Sequence, residues 1–246
     1  MSGTVEFRRQ TTIEKIEALY GIPELHDGHT VIWLENDVGI TQSGGAVSKW
    51  TDITNGYELI PYATDGGTAT SANYPTWTEA GGVVFDGTDD VLKYMVSGWT
   101  TLYGSIYAVV KQVSWVNDGV LFSYGGVGGT RVNQRTQSPY IVVSNSSGRS
   151  VPITDFAINT WGLITLEVDG ANNILTIQLG DGTPVQNSAD ANGFTSGGII
   201  LGATHAAAPA LQRYGNVAIY AIVVRDAIDN ATTKAAIKAY LTNKYL

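Results

Sequence analysis

The sequence predicts an all-β protein: two antiparallel sheets packed face to face as a jelly-roll sandwich, with a short N-terminal helix and a C-terminal helix. Three observations predict it. Only 15% of the 246 residues are charged, while 29 are glycine and 13 tyrosines and 6 tryptophans accompany them, a profile of sheet and turn. Short runs rich in Val, Ile and aromatic residues recur along the chain between Gly, Asn and Asp turns. Helical spacing of apolar residues is confined to the two ends, and so many strands bury their faces best by stacking in two layers.

Taken in order, Thr11-Thr12-Ile13-Glu14 has the spacing of a capping box, and Ile13, Ile16 and Tyr20 follow at helical intervals until Gly21 and Pro23 stop the run. Such a helix is too short to stand alone. Residues 1–28 therefore read as an arm that docks on its own domain or on other structural subunits, and residues 29–246 as the β domain. Thr30 to Leu34 is the first strand, Glu35 to Gly45 reads as loop, and Val47 to Asp52 is a strand entering the turn Asn55-Gly56. Ala63 to Thr76 is polar and glycine-rich and should cross the surface. Gly82 to Met95 reads as a hairpin around Asp86-Gly87, because glycine accepts positive φ and Asp bonds the backbone ahead of it. Further strands are expected at 105–111, 119–124, 139–143, 161–169, 174–179, 198–202 and 215–224, with 161–179 a hairpin about Gly170 to Asn173. Asp229 or Asn230 caps the last helix, whose lysines Lys238 and Lys244 suit the negative end of its dipole.

Charge and composition exclude several functions. The net charge is −8, the pI is near 4.7, and basic residues are scattered, which argues against nucleic acid. There is no cysteine, so thiolate metal sites and a cysteine nucleophile are out. No apolar run is long enough to span a bilayer. Met1 to Gln10 carries Glu6, Arg8 and Arg9 and no apolar core, so it is not a Sec signal peptide.

With the strands in place, several segments resemble concanavalin A-like lectin/glucanase domains of the laminin-G-like type. They are Ile32-Trp33-Leu34, Asp37-Val38-Gly39-Ile40 and Val47 to Asp52, then Phe85-Asp86-Gly87-Thr88-Asp89-Asp90-Val91-Leu92, which is similar to that family's FDG-x-DD-x-L segment. Gly215 to Tyr220 and Ala239 to Tyr245 resemble its final strand and terminal helix, so the likeness runs over roughly residues 30 to 246. The resemblance implies a jelly-roll fold that serves sugar binding, adhesion and, in some members, glycoside hydrolysis. Such domains occur in secreted bacterial proteins and in phage structural proteins. With no Sec signal and no cysteine, the expected setting is a virion or an extracellular surface.

The candidate sites follow from residue chemistry. Asp86, Asp89 and Asp90 could offer oxygens to calcium, a hard cation, or could accept backbone N–H groups at the turn; the second is the expected reading, with no cofactor. Sugar binding needs aromatic faces beside amides and carboxylates. Trp99, Trp115, Asn117 and Tyr124 are the chosen candidates, and Trp77, Tyr103, Tyr140, Asp118, Asn133 and Gln134 complete the wider set. The resembling hydrolases carry their acids as E-x-D-x-E or with one extra residue; Glu167-Val168-Asp169 lacks the third acid and reads as a hairpin turn. His26 and His29 are close enough in sequence for a metal but belong to a solvated linker, His205 has no nucleophile or acid partner in pattern, and Gly125 to Gly129 lacks the Lys-Ser/Thr of a phosphate loop. The expected function is a non-catalytic, lectin-like structural or adhesive subunit, in a phage particle and in contact with cell-surface glycans. A stand-alone carbohydrate-binding module and a glycoside hydrolase are the alternatives.

Overall fold

The computed structural model describes residues 22–63, 68–94, 103–124, 129–135, 137–144, 150–188, 198–205 and 211–246. The N-terminal helix expected at 11–20 and Trp99 lie outside them. The strands are β1 (Thr30–Glu35), β2 (Ile40–Ser43), β3 (Ala46–Thr51), β4 (Glu58–Pro61), β5 (Thr76–Thr78), β6 (Gly82–Asp86) and β7 (Leu92–Tyr94). Then come β8 (Tyr103–Gln112), β9 (Val120–Tyr124), β10 (Thr130–Gln134), β11 (Ile141–Ser144), β12 (Ser150–Ile153), β13 (Trp161–Asp169) and β14 (Ile174–Leu179). The chain closes with β15 (Val185–Ser188), β16 (Ile199–Leu201), β17 (Thr204–His205), β18 (Leu211–Gln212), β19 (Asn216–Arg225) and the helix α1 (Ala231–Tyr245).

The pairings form two antiparallel ladders. The first runs β15-β14-β13-β8-β19; β19 then pairs with β1 along its C-terminal half and with β6 along its N-terminal half, and β6 continues through β5 and β3 to β2. The second runs β12-β11-β10-β9-β16-β7-β4. Because β4 pairs with β3 through Glu58 and Leu59 and with β7 through Ile60 and Pro61, hydrogen bonding is continuous across 17 strands. The array therefore wraps almost like a barrel where the sequence suggested two separate sheets. One four-residue strand turning the corner is enough to join the layers.

The main core fills the space between the ladders. It takes Ile106, Ala108, Val110, Ile164, Leu166, Ile219 and Ile222 from the first, and Leu92, Phe122, Val132, Ile141, Val143, Ile199 and Leu201 from the second. A second core lies on the far side of the first ladder, where Ile237 and Leu241 of α1 and Leu25 cover Trp33, Tyr107, Val109, Leu163 and Val223. Strand β8 is thus covered on both faces, which explains its unbroken apolar run. Asn230 supplies the N-cap of α1, its side-chain oxygen accepting Thr233 N–H at 3.0 Å.

Three expectations change. The segment 35–45 is not all loop: Ile40–Ser43 pairs with β3, a mostly exposed edge strand whose polar residues carry no buried alternation. The hairpin expected over Gly82 to Met95 is a crossover in its described part, 82–94. Strand β6 belongs to the first ladder and β7 to the second, and they pair with other strands. Phe85 and Leu92 instead enter the same core from opposite sides. Finally, His26 to His29 is exposed, as a solvated linker would be, but it is fastened to the domain: Asp27 Oδ2 accepts from Arg225 Nη2 at 2.7 Å and His29 Nδ1 sits 2.9 Å from Asp226 Oδ1.

Candidate functional site: the outer face of the second ladder

On the second ladder, residues alternate between the core and an outer face. Leu92, Phe122, Tyr124, Val132, Val143, Ile199 and Leu201 point inward, so Lys93, Ser123, Arg131, Ser144 and Ile200 point outward. The register sets these five side by side: Lys93 opposite Ile200, Ile200 opposite Ser123, Ser123 opposite Arg131, and Arg131 opposite Ser144. Asn133, two residues along β10, shares that face, and its Oδ1 accepts the Ser144 hydroxyl at 3.0 Å. At about 4.8 Å per strand, Lys93 and Arg131 stand roughly 14 Å apart.

An outer sheet face usually meets water, yet this one is covered. Lys93 is 6% exposed, and Ser123, Asn133 and Ser144 are buried. The ammonium of Lys93 lies 3.9 Å from the centroid of the Tyr62 ring, and burial holds its pKa below the usual lysine range. The Ser123 hydroxyl donates to Ala203 O at 3.0 Å. Tyr62 and Tyr214 pack with Val91, Ile200 and Ala203 into a small apolar cluster on the same face. Three buried atoms here lack a hydrogen-bond partner: Arg131 Nε, Asn133 Nδ2 and Tyr214 Oη. A buried amide or guanidinium N–H left unpaired costs about 1–3 kcal/mol, so the face is chemically unfinished.

Its rim is built by two loops. Val120 N–H donates to Arg213 O at 2.8 Å, which draws Arg213 and Tyr214 alongside β9. The other loop, 113–119, brings Trp115, half-buried, and Asn117, exposed, to the end of β10. There Gln134 Oε1 accepts Val116 N–H at 2.9 Å, its Nε2 donates to Ser114 O at 2.8 Å, and Asp118 Oδ1 is 3.6 Å from Arg135 Nε. Tyr124, chosen from the sequence for ring stacking, instead points into the main core at 1% exposure, so its ring faces are used for packing.

The acidic turn keeps its own order. Asp86 Oδ1 accepts Thr88 N–H at 2.7 Å, Asp90 Oδ2 accepts Asp86 N–H at 3.0 Å, and Asp89 Oδ2 accepts Asn73 Nδ2 at 3.0 Å. One oxygen or more from each of the three carboxylates lies within 4.8 Å of the others. That supplies three of the six to eight oxygens calcium takes, and each carboxylate already serves the turn. Burial pushes the Asp90 carboxyl up to about 7, the nearby Asp86 and Asp89 charges add to the rise, and the Asp86 N–H opposes it. The folded state thus holds a proton that the unfolded chain, near 3.8, releases first, so stability falls as pH rises from about 4 to 7. Asp90→Asn keeps an oxygen for Asp86 N–H. It is expected to melt several degrees above the parent at pH 8 and level with it at pH 4, as thermal melts at the two pH values would show.

Other sequence candidates are occupied elsewhere. Glu167 pairs with Lys234 of α1 at 2.6 Å, and Asp169 accepts Asn172 N–H and Nδ2, closing the 169–172 turn. His26 packs edge-on against Trp33, and His29 meets Asp226. A groove of about 490 Å³ beside α1 is lined by Lys234, Lys238, Gln178 and Asp181, but its lysines already pair with Glu167 and Asp181. Lys93, Arg131 and Tyr214 were not legible as site residues. For Lys93, between Leu92 and Tyr94, and for Arg131, beside Val132, the signal was a polar residue next to apolar ones in a strand, which ordinarily marks a solvent face.

No family model matches the sequence, and no curated protein does. Among solved structures, the chain is similar to an arabinofuranosidase complexed with arabinofuranosyl-α-1,2-xylobiose, at TM-score 0.59 and 14% identity over 88% of this chain and 59% of that one. It is similar to a Trypanosoma rangeli sialidase, at 0.56 and 11% over 88% and 33%. A botulinum neurotoxin DC binding domain in complex with SialylT follows at 0.55 and 10%, over 88% and 52%. The chain spans about a third to three fifths of those proteins, and at such identities the likeness establishes a shared fold over most of its length.

Proposed function

We propose that the protein is a non-catalytic carbohydrate-binding domain, a jelly-roll sandwich of the concanavalin A-like kind, which holds a glycan on the outer face of its second ladder. The observation that carries this reading is the row of buried Lys93, Ser123 and Ser144 with half-buried Arg131, whose Nε is unpartnered, as is Asn133 Nδ2 beside it. Sugar hydroxyls both donate and accept, so they can complete such groups, while the rings of Tyr62 and Tyr214 offer apolar faces to pyranose C–H groups. The subjects of the similar structures, an arabinofuranosyl-xylobiose complex and a SialylT complex, support a glycan ligand. The virion setting rests on the sequence alone, with the residues ahead of Ile22 as the segment joining the domain to other subunits, since Ile22 and Leu25 belong to the second core.

The non-catalytic part of the reading rests on where the acids stand. Hydrolysis needs two carboxylates flanking one bond, whereas Glu167 and Asp169 lie on the first ladder, engaged by Lys234 and Asn172. A panel of immobilised oligosaccharides tests the proposal. Retention of at least one glycan without its turnover is expected, and Asn133→Ala should weaken it about tenfold, or about 1.4 kcal/mol. Release of reducing sugar, or binding indifferent to Asn133, would count against it.

A further inference from the structure

The cations of this chain are unevenly matched. Lys49, Lys234, Lys238, Lys244 and Arg225 each pair with a carboxylate at 2.8 Å or less. Lys93 meets a tyrosine ring instead. Arg131 stands with its Nε buried and unpartnered, and Arg213 reaches the same region through its bond to Val120. Arg135, at the end of β10, is 3.6 Å from Asp118. Four cations thus gather on one face of a molecule whose net charge is −8. The described carboxylates near them are Asp118 beside Arg135 and Asp89 beside Tyr214.

Like charges held together under burial work against one another. Burial first, then the Arg213 and Arg135 charges, hold the Arg131 guanidinium below its usual range, with Asp118 the opposing influence. The unpartnered buried atoms on this face also share a sense: Arg131 Nε and Asn133 Nδ2 only donate, and Tyr214 Oη can donate. A neutral sugar would offer hydroxyls and leave the excess positive charge uncompensated. An oxyanion would supply several acceptors at once and match the planar fork of an arginine.

We propose that the glycan bound on this face carries an acidic group, a carboxylate or a sulfate ester, which sits against Arg131 with Arg213 adding charge and Asn133 and Tyr214 donating. The inference rests on the carbohydrate-binding reading and narrows it to acidic sugars. Two sources, sialyl or uronate carboxylates and sulfated sugars, share this chemistry.

The test is calorimetric titration of the full chain with sialylated, uronate and sulfated oligosaccharides, each beside its neutral parent: the desialylated sugar, the uronate methyl ester and the unsulfated sugar. At least one acidic member is expected to bind tenfold or more tightly than its parent, and the class that does so identifies the group. Arg131→Gln and, as a half-exposed and structurally milder change, Arg213→Gln should reduce that preference, while Lys234→Gln, on α1 at the far side of the first ladder, should keep it. Equal affinity for acidic and neutral members would overturn the inference and leave the carbohydrate reading intact. A preference untouched by both arginine variants would also overturn it, by placing the anion elsewhere. Binding of no glycan, acidic or neutral, would overturn the carbohydrate reading itself.

Discussion

Replacing Arg225 with Met is expected to cost about 3–5 kcal/mol of stability, the penalty for leaving a buried charge without its partner. Arg225 is 1% exposed and ties three parts of the chain together. Its Nε donates to Asp229 Oδ1 at 2.8 Å, its Nη2 to Asp27 Oδ2 at 2.7 Å, and its Nη1 to Thr30 Oγ1 at 2.9 Å and Glu24 O at 2.5 Å. Asp229 is itself buried and takes a further bond from Tyr107 Oη at 2.7 Å. Without the guanidinium, the Asp229 carboxylate keeps only that neutral donor, since the Ser105 hydroxyl 3.4 Å away accepts from the Asp229 backbone N–H instead. For a chain of this size the loss corresponds to roughly 6–20 °C in melting temperature. The double variant Arg225→Met with Asp229→Asn should recover part of it, because the stranded charge is gone. Equal melting of the single variant and the parent would show that the network contributes nothing.

Glu35→Ala is expected to loosen the C-terminal helix, at a cost of about 3 kcal/mol on the same grounds. The Glu35 carboxylate is fully buried at the end of β1 and gathers Trp33 Nε1 at 3.0 Å, Tyr240 Oη at 2.5 Å and the Lys244 ammonium. Two of these donors belong to α1, so the acid is the polar clasp that complements Ile237 and Leu241 in the second core. Hydrogen exchange along α1 would read the effect: faster exchange from Tyr240 to Tyr245 in Glu35→Ala than in the parent, with Glu35→Gln between them. The glutamine keeps the hydrogen bonds from Trp33 and Tyr240 but not the ion pair. Unchanged exchange in the alanine variant would mean that the apolar contacts hold the helix by themselves.

These two clasps show why the sequence was readable in some places and not in others. Glu35 closes the run Val31-Ile32-Trp33-Leu34 and reads as the polar residue that ends a strand. Its partners lie 205 and 209 residues away, a separation no local pattern reports. Arg225 reads the same way at the end of the Val223-Val224 run, with partners at 24, 27 and 30. In the candidate site, Asn133 was singled out as a polar neighbour of aromatics, and Trp115 and Asn117 do rim the end of β10. The aromatic signal was less discriminating. Tyr124 and Trp115 look alike in composition, and only the alternation along β9 sends Tyr124 inward.

By itself, the sequence determined the β-rich class, most strands, the terminal helix with its Asn230 cap and the turn role of Asp86. All of these depend on periodicity and on turn and capping chemistry, which act within a few residues. Tertiary structure alone decided which strands are neighbours. It made Gly82 to Tyr94 a crossover rather than a hairpin, joined the ladders through β4, and set Lys93, Ser123, Arg131 and Ser144 in one row although 51 positions separate the first from the last. Strand pairing is settled by burying apolar faces from distant segments against one another. The chemistry that appears on the opposite face is a consequence of that packing.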